Sequence, residues 1–128
     1  MDNPYVDHRY PSSETTSKII AACFAVHNEL GPGFEEVVYQ RALAKQFPLH
    51  DLDFEREVEM DLFYKGLKVG KKRVDFVVED CLLEIKAKKE LEDVDFVQTL
   101  SYLKASGFKV ALLVNFGEKR VKVKRLVY

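Results

Sequence analysis

Cysteine is scarce in this chain, and its scarcity removes two classes of protein. Only Cys23 and Cys81 occur among 128 residues. There is no CxxC pair and no histidine at zinc spacing, so neither a disulfide scaffold nor a structural zinc site is expected, and both thiols are assigned to the core. Long apolar runs are missing as well. Ile19 to Val26, Phe76 to Val78 and Val110 to Val114 fall far short of the ~20 residues that cross a bilayer, so no membrane partner is expected. The opening MDNPYVDHRYPSSE is polar, carries acids and lacks the apolar stretch of a secretory signal, which predicts a cytoplasmic protein. No internal repeat, linker or low-complexity segment interrupts the pattern.

An excess of one charge is also lacking. Twenty Lys and Arg against 21 Asp and Glu leave a formal charge of −1, which argues against indiscriminate polyanion binding. The charge is nevertheless segregated. Acids dominate from Asp51 to Asp61, whereas Lys65, Lys68, Lys71, Lys72 and Arg73 form a run without an acid, and Lys119, Arg120, Lys122, Lys124 and Arg125 form a second. Such runs are commonly solvated faces, and they hold phosphates only where they converge on one cleft.

The residues that are present describe a globular domain. At 47% hydrophobic and 32% charged residues the composition is ordinary, and a domain of this length buries roughly two-thirds of its unfolded surface. Residues 1–12 read as a flexible amino-terminal arm and 13–128 as one domain. Ser12 or Ser13 can cap a first helix, in which Ile19, Ile20, Cys23, Val26, His27 and Leu30 recur at helical spacing until Gly31, Pro32 and Gly33. A second helix is predicted over about Glu35 to Phe47, with Val38, Ala42 and Leu43 inward and Pro48 at its end. From Phe54 to Tyr64 the period becomes two, with Phe54, Val58, Met60, Leu62 and Tyr64 on one face and acids on the other. Lys65-Gly66 and Glu79-Asp80 are hairpin turns into a second strand ending near Val78 and a third over Cys81 to Ala87. Leu91 to Ser106 returns to helical spacing with Val94, Val97, Leu100, Leu103 and Lys104 around one side, and Gly107 ends it. Phe108 to Phe116 and the Val121, Val123, Leu126-Val127 alternation complete the order ααβββαββ, an α/β class with a mixed sheet.

If Glu79-Asp80 is a two-residue loop, Asp75 faces Glu84 across the hairpin and Arg73 faces Lys86. Glu84 and Lys86 are two apart and share a sheet face, while Leu83, Ile85 and Ala87 point into the core. Facing carboxylates repel, so either one takes up a proton or a divalent cation bridges them, and hard oxygen donors suit Mg²⁺ or Mn²⁺. A lysine on the same face can polarise a water or neutralise charge on a phosphate. The bland alternative is a surface ion network. The flanking VDFVV and LLEIKA weigh against it, because strands of that kind are buried on both faces. On the helices, Glu36 and Tyr39 are three apart, and Gln98 and Tyr102 four apart, so each pair consists of neighbours. A tyrosine on such a helix is more often core or rim than catalytic, and His27 is more often a helix-end residue than a ligand.

Gly33 to Tyr39 spells GFEEVVY, a GxxExxY pattern. RVDFVVEDCLLEIKA carries D-x(8)-E-x-K, QTLSY spans 98–102, and LLVNFG spans 112–117. In this order, from about residue 15 to the C-terminus, these elements resemble the GxxExxY protein family of the PD-(D/E)XK nuclease superfamily, and QTLSY is similar to the QxxxY element of RecB-type exonucleases. Val74 stands where the named motif has proline. The resemblance implies a restriction-endonuclease-like core and metal-dependent hydrolysis of phosphodiester bonds in nucleic acid, with DNA as the expected substrate and Mg²⁺ or Mn²⁺ as cofactor. It implies that Asp75 and Glu84 bind the metal, with the Ile85 carbonyl as a third ligand and Glu36 as the helix-borne acid that completes the site. Lys86 would then handle the attacking water, and Gln98, Tyr102, Tyr39 and Arg73 would steady substrate or lysine. Two other functions fit the same fold: a non-catalytic module that binds nucleic acid or protein through its basic edges, and a subunit that acts with a partner protein or a second copy of itself.

Overall fold

The computed structural model describes residues 12–128; of the expected amino-terminal arm, only Ser12 falls within that range. Helix α1 (Ser13–Leu30) begins at Ser12, which adopts a left-handed conformation (φ 57°) and does not cap the helix with its side chain. Its hydroxyl instead donates to Asp80 at 2.6 Å. The helix ends where Gly31, at φ 68°, donates its N–H back to His27, a turn glycine reaches without a Cβ penalty. Helix α2 (Glu36–Gln46) passes directly into a 3₁₀ turn (Phe47–His50). The α-helix thus ends within a residue of the predicted Phe47, and Pro48 sits in the first turn of the 3₁₀ segment, where its missing N–H is not needed.

Strands β1 (Phe54–Tyr64), β2 (Leu67–Val78) and β3 (Cys81–Lys86) follow, then α3 (Asp93–Ser106), β4 (Val110–Asn115) and β5 (Lys122–Val127). The predicted order ααβββαββ is the observed one, with the single 3₁₀ turn added. The sheet runs β1-β2-β3-β4-β5. Every neighbouring pair is antiparallel except β3 and β4, which are parallel because α3 carries the chain back across the sheet. Lys65 and Gly66, both at positive φ, make the β1–β2 turn, and Val78 pairs with Cys81 across the predicted Glu79-Asp80 loop.

One sheet face packs Phe76, Val78, Leu83, Ile85, Leu112 and Val114 against α1, α2 and the 3₁₀ turn. The other packs Val74, Leu82 and Ala111 under Leu103 of α3. The inward side of α3 matches the predicted one at its end, where Leu103 is buried and Leu100 packs beside it, but not at its start: Val94 and Val97 are 49% and 62% exposed, whereas Asp95 and Thr99 are buried. Polar bonding outweighs hydrophobicity at this end of the helix. Asp95 accepts from the Glu92 N–H and from Lys88 Nζ, both at 2.9 Å, and Thr99 donates to the Asp95 carbonyl at 2.9 Å, so the buried polar groups are satisfied.

The alternation along β1 and β2 is also broken, by a register shift between Leu62 and Phe63 near the turn and by a gap nearer the site. Arg56 pairs with Phe76 and Val58 with Val74, but the intervening Glu57 and Asp75 form no pair, and Glu57 sits at φ 55°. An irregularity of this kind re-aims the side chains around it. Before it, Phe54 packs into the α1/α2 layer with Phe76 and Val78; beyond it, Val58, Met60 and Val74 lie in the α3 layer. The single continuous apolar face expected for β1 is therefore two half-faces pointing opposite ways, and the break falls at Asp75.

Candidate active site

The ladder between β2 and β3 ends at Phe76 and Leu83. Past that point the carboxylates take over the bonding. Asp75 Oδ2 accepts from the Ile85 N–H at 2.7 Å, and Glu84 Oε1 accepts from the Asp75 N–H at 3.2 Å. Each acid thus satisfies a backbone amide where the strands part. Asp75 and Glu84 are neighbours, one step past the last rung of the predicted register, but they form no ladder pair and their link is side chain to backbone. The predicted facing of Arg73 and Lys86 is not observed: Arg73 pairs with Glu59 across β1 and is exposed.

Glu84 is 6% exposed. Burial, and after it the Asp75 charge, push its pKa up to about 7, against a hydrogen bond from the Asp75 amide and the ammonium groups of Lys72 and Lys86. Asp75 is also raised, chiefly by burial, against the Ile85 amide, Lys86 and Lys72. The two acids share one low-dielectric place without enough positive charge to hold both ionised. Helix α2 adds to the cluster. Gln40 Nε2 donates to Asp75 Oδ1 at 3.0 Å, and Gln40 is itself oriented by Arg56, whose Nη2 donates to Gln40 Oε1 at 3.2 Å. Glu36, one turn earlier, is raised by burial and then by the Asp75 charge, and Lys86 opposes the shift.

Lys86, half-buried, lies 3.9 Å from Asp95 Oδ1, while Lys88 takes the other oxygen at 2.9 Å. Burial raises the Asp95 carboxyl, yet the Glu92 amide, Lys88 and Lys86 outweigh it and bring its pKa below the usual range. Asp95 is therefore the anion that anchors both lysines. The Lys88 backbone is gripped in turn by the fully buried Asn115, which accepts from its N–H at 2.9 Å and donates to its carbonyl at 3.0 Å. Gly117 lies so close to this segment that a Cβ there would stand 2.6 Å from the Lys88 nitrogen. The LLVNFG stretch thus braces the end of β3. An open cleft lined by Gly33, Phe34, Glu36, Lys86, Lys88 and Asp95 lies beside these groups.

Of the sequence-predicted residues, Asp75, Glu84 and Lys86 come together; Glu36 lines the cleft with Lys86 and feels the Asp75 charge, but it is not gathered with the two acids as a third metal ligand. Tyr39 does not reach the cleft: it is fully buried, stacks on Phe116 at 4.7 Å, accepts from the Phe34 N–H and donates to the Gly31 carbonyl at 2.6 Å. It supports the loop before α2 and is not placed to touch a substrate. Gln98 is exposed on α3. Tyr102, one turn on, meets a residue that sequence reasoning left out of the site, Lys72, whose ammonium stands 4.4 Å from the ring centre. Burial disfavours the Lys72 charge, but Tyr102, Glu84 and Asp75 raise its pKa above the usual value. Strand parity hid Lys72. Three residues from Asp75, it belongs to the opposite face of a regular strand, and the break at Asp75 returns it to the acids while turning Arg73 away. Gln40, Lys88, Asp95 and Asn115 were missed because no spacing rule links them to Asp75.

The donor set fits a hard divalent cation. Two carboxylates with raised pKa values and a deficit of local positive charge are what such an ion relieves. Among the described residues no three His, Cys, Asp or Glu side chains are gathered to hold a metal, so the Asp75 and Glu84 pair would need backbone carbonyls and water beside it, the coordination Mg²⁺ commonly keeps. No helix among the described residues is long and apolar enough to cross a membrane.

Comparison with known proteins finds relatives of this chain in family and in fold. A family model described as the PD-(D/E)XK nuclease superfamily matches residues 13–126. A solved structure described as "Crystal structure of SSO0001" matches with a TM-score of 0.55 at 21% identity, covering 94% of this chain and 60% of that one; at that identity the likeness speaks for the fold. No curated protein matches.

Proposed function

Since the chain belongs to the PD-(D/E)XK nuclease superfamily and has its restriction-endonuclease-like fold, we propose that it is a metal-dependent nuclease hydrolysing phosphodiester bonds in nucleic acid, with DNA as the first substrate to test. The observation that carries the proposal is the parting of β2 and β3 at Asp75 and Glu84, where two acids sit beside Lys86 with one of them holding its proton near neutrality.

In this proposal Asp75 and Glu84 hold Mg²⁺ or Mn²⁺, with the Ile85 carbonyl as a further donor. When bound there, the ion supplies Lewis-acid neutralisation of the scissile phosphate. Lys86 orients the attacking water and steadies charge on the phosphate oxygens. Asp95 positions Lys86 from α3, and Gln40 positions Asp75 from α2. Glu36, which lines the same cleft as Lys86 and whose affinity for a proton is also raised, takes a proton from the water in this reading. Tyr102 belongs to the QxxxY element, and its part here is to hold Lys72 beside the acids. Membership of the GxxExxY family, with Glu36 and Tyr39 as its two named positions, is part of the same proposal.

The test is cleavage of end-labelled single-stranded DNA, duplex DNA and RNA in Mg²⁺ or Mn²⁺, with Lys86→Ala alongside. Products that vanish in the variant and in EDTA support the nuclease. Salt-sensitive DNA binding without cleavage in any metal would make the chain a non-catalytic module instead.

A further inference from the structure

Phe34 lines the same cleft as Glu36, Lys86 and Lys88, yet it is 47% exposed. A phenyl ring left in water among charged groups has a local explanation. It precedes the α2 cap at Glu35 and meets Tyr39 in the fourth helical position, ring centres 6.1 Å apart and nearly perpendicular, which is the hydrophobic staple that sets a helix entry angle. That explanation accounts for an apolar residue at this position. It does not account for an aromatic half open to solvent, nor for its bracing, since the buried Tyr39 hydroxyl accepts from the Phe34 N–H at 3.2 Å while donating to Gly31.

We infer that Phe34 is a base-stacking platform, and that the site takes an unpaired nucleotide: single-stranded nucleic acid or a frayed duplex end. The inference rests on the nuclease proposal above and adds its substrate class. Every base has a π-face, so a fixed aromatic binds one without regard to sequence. The ammonium groups of Lys86 and Lys88 in the same cleft supply the cations a flanking phosphate requires. A base inside an intact duplex is already stacked on both faces and cannot use the ring. Because the loop is held by Tyr39 before any ligand arrives, little ordering cost opposes the stacking.

The experiment measures affinity by fluorescence anisotropy in Ca²⁺ for three labelled probes: an oligothymidine strand, the same strand with abasic residues in place of its bases, and a blunt duplex. Phe34→Leu keeps an apolar staple and loses the π-face; Phe34→Trp keeps both. Expected is a loss of about 5- to 150-fold for the oligothymidine in the leucine variant, recovery in the tryptophan variant, and no change for the abasic strand. Thermal denaturation of each variant monitors the fold. Equal oligothymidine affinity in wild type and leucine variant, or an equal loss on the abasic strand, overturns the platform and leaves the nuclease proposal standing. A folded wild type that binds none of the three probes overturns both.

Discussion

Replacing Glu84 by glutamine tests the electrostatics of the site without touching its shape. Glutamine Oε1 can still accept the Asp75 N–H that Glu84 accepts now, while the charge disappears. The Glu84 carboxyl is raised from 4.5 to about 7 on folding. In that window the native state binds more protons than the unfolded chain, so stability falls as pH rises through it. At about 1.4 kcal/mol for each pKa unit, the ionised group costs the fold about 3 kcal/mol above pH 7 and nothing below about pH 4. Asp75 is shifted in the same direction by its own burial, so the expected gain is the one worked for Glu84 alone. Glu84→Gln is therefore expected to be more stable than wild type by about 2–3 kcal/mol at pH 8 and nearly equal to it at pH 4.5. Urea denaturation at both pH values, in EDTA, reads the difference as a shift in midpoint at constant slope. Mn²⁺ should then stabilise the wild type at pH 8 and not the variant. A stability difference independent of pH, or a variant less stable at pH 8, would refute the account of two crowded acids.

Two further predictions address the supports. Lys72→Met removes a cation that lowers the proton affinity of both acids, so the pH at which Glu84 titrates, followed by carboxyl NMR, should move upward; an unchanged titration would put Lys72 outside the site. Gly117→Ala drives a methyl into the Lys88 backbone, and overpacking against main chain costs about 1–3 kcal/mol. Its urea midpoint should fall and cleavage with it, through the displaced Lys88 segment; a midpoint equal to wild type would show that the backbone yields freely there.

Much of the architecture was written locally. Period-two alternation marked β1 from Phe54 to Tyr64, glycine and acidic turns marked both hairpins, and the two-residue Glu79-Asp80 loop set the register that ends at Phe76 and Leu83, beside Asp75 and Glu84, because strand register follows from turn length. Those signals concern neighbours in the chain or across one turn, and a sequence contains them. What only the tertiary structure decided lies where distant elements compete for the same group. The irregularity at Glu57 and Asp75 reversed the faces of β1 and β2, exchanging Arg73 for Lys72, since a period of two holds only as long as every residue keeps its pair. The inward side of α3 was settled by Lys86, Lys88 and the Glu92 amide gathering around Asp95, an arrangement that outweighed the burial of Val94 and Val97. Hydrophobic periodicity records which residues avoid water, whereas a buried charge goes where its partners are, and those of Asp95 come from the end of β3 and the segment between β3 and α3.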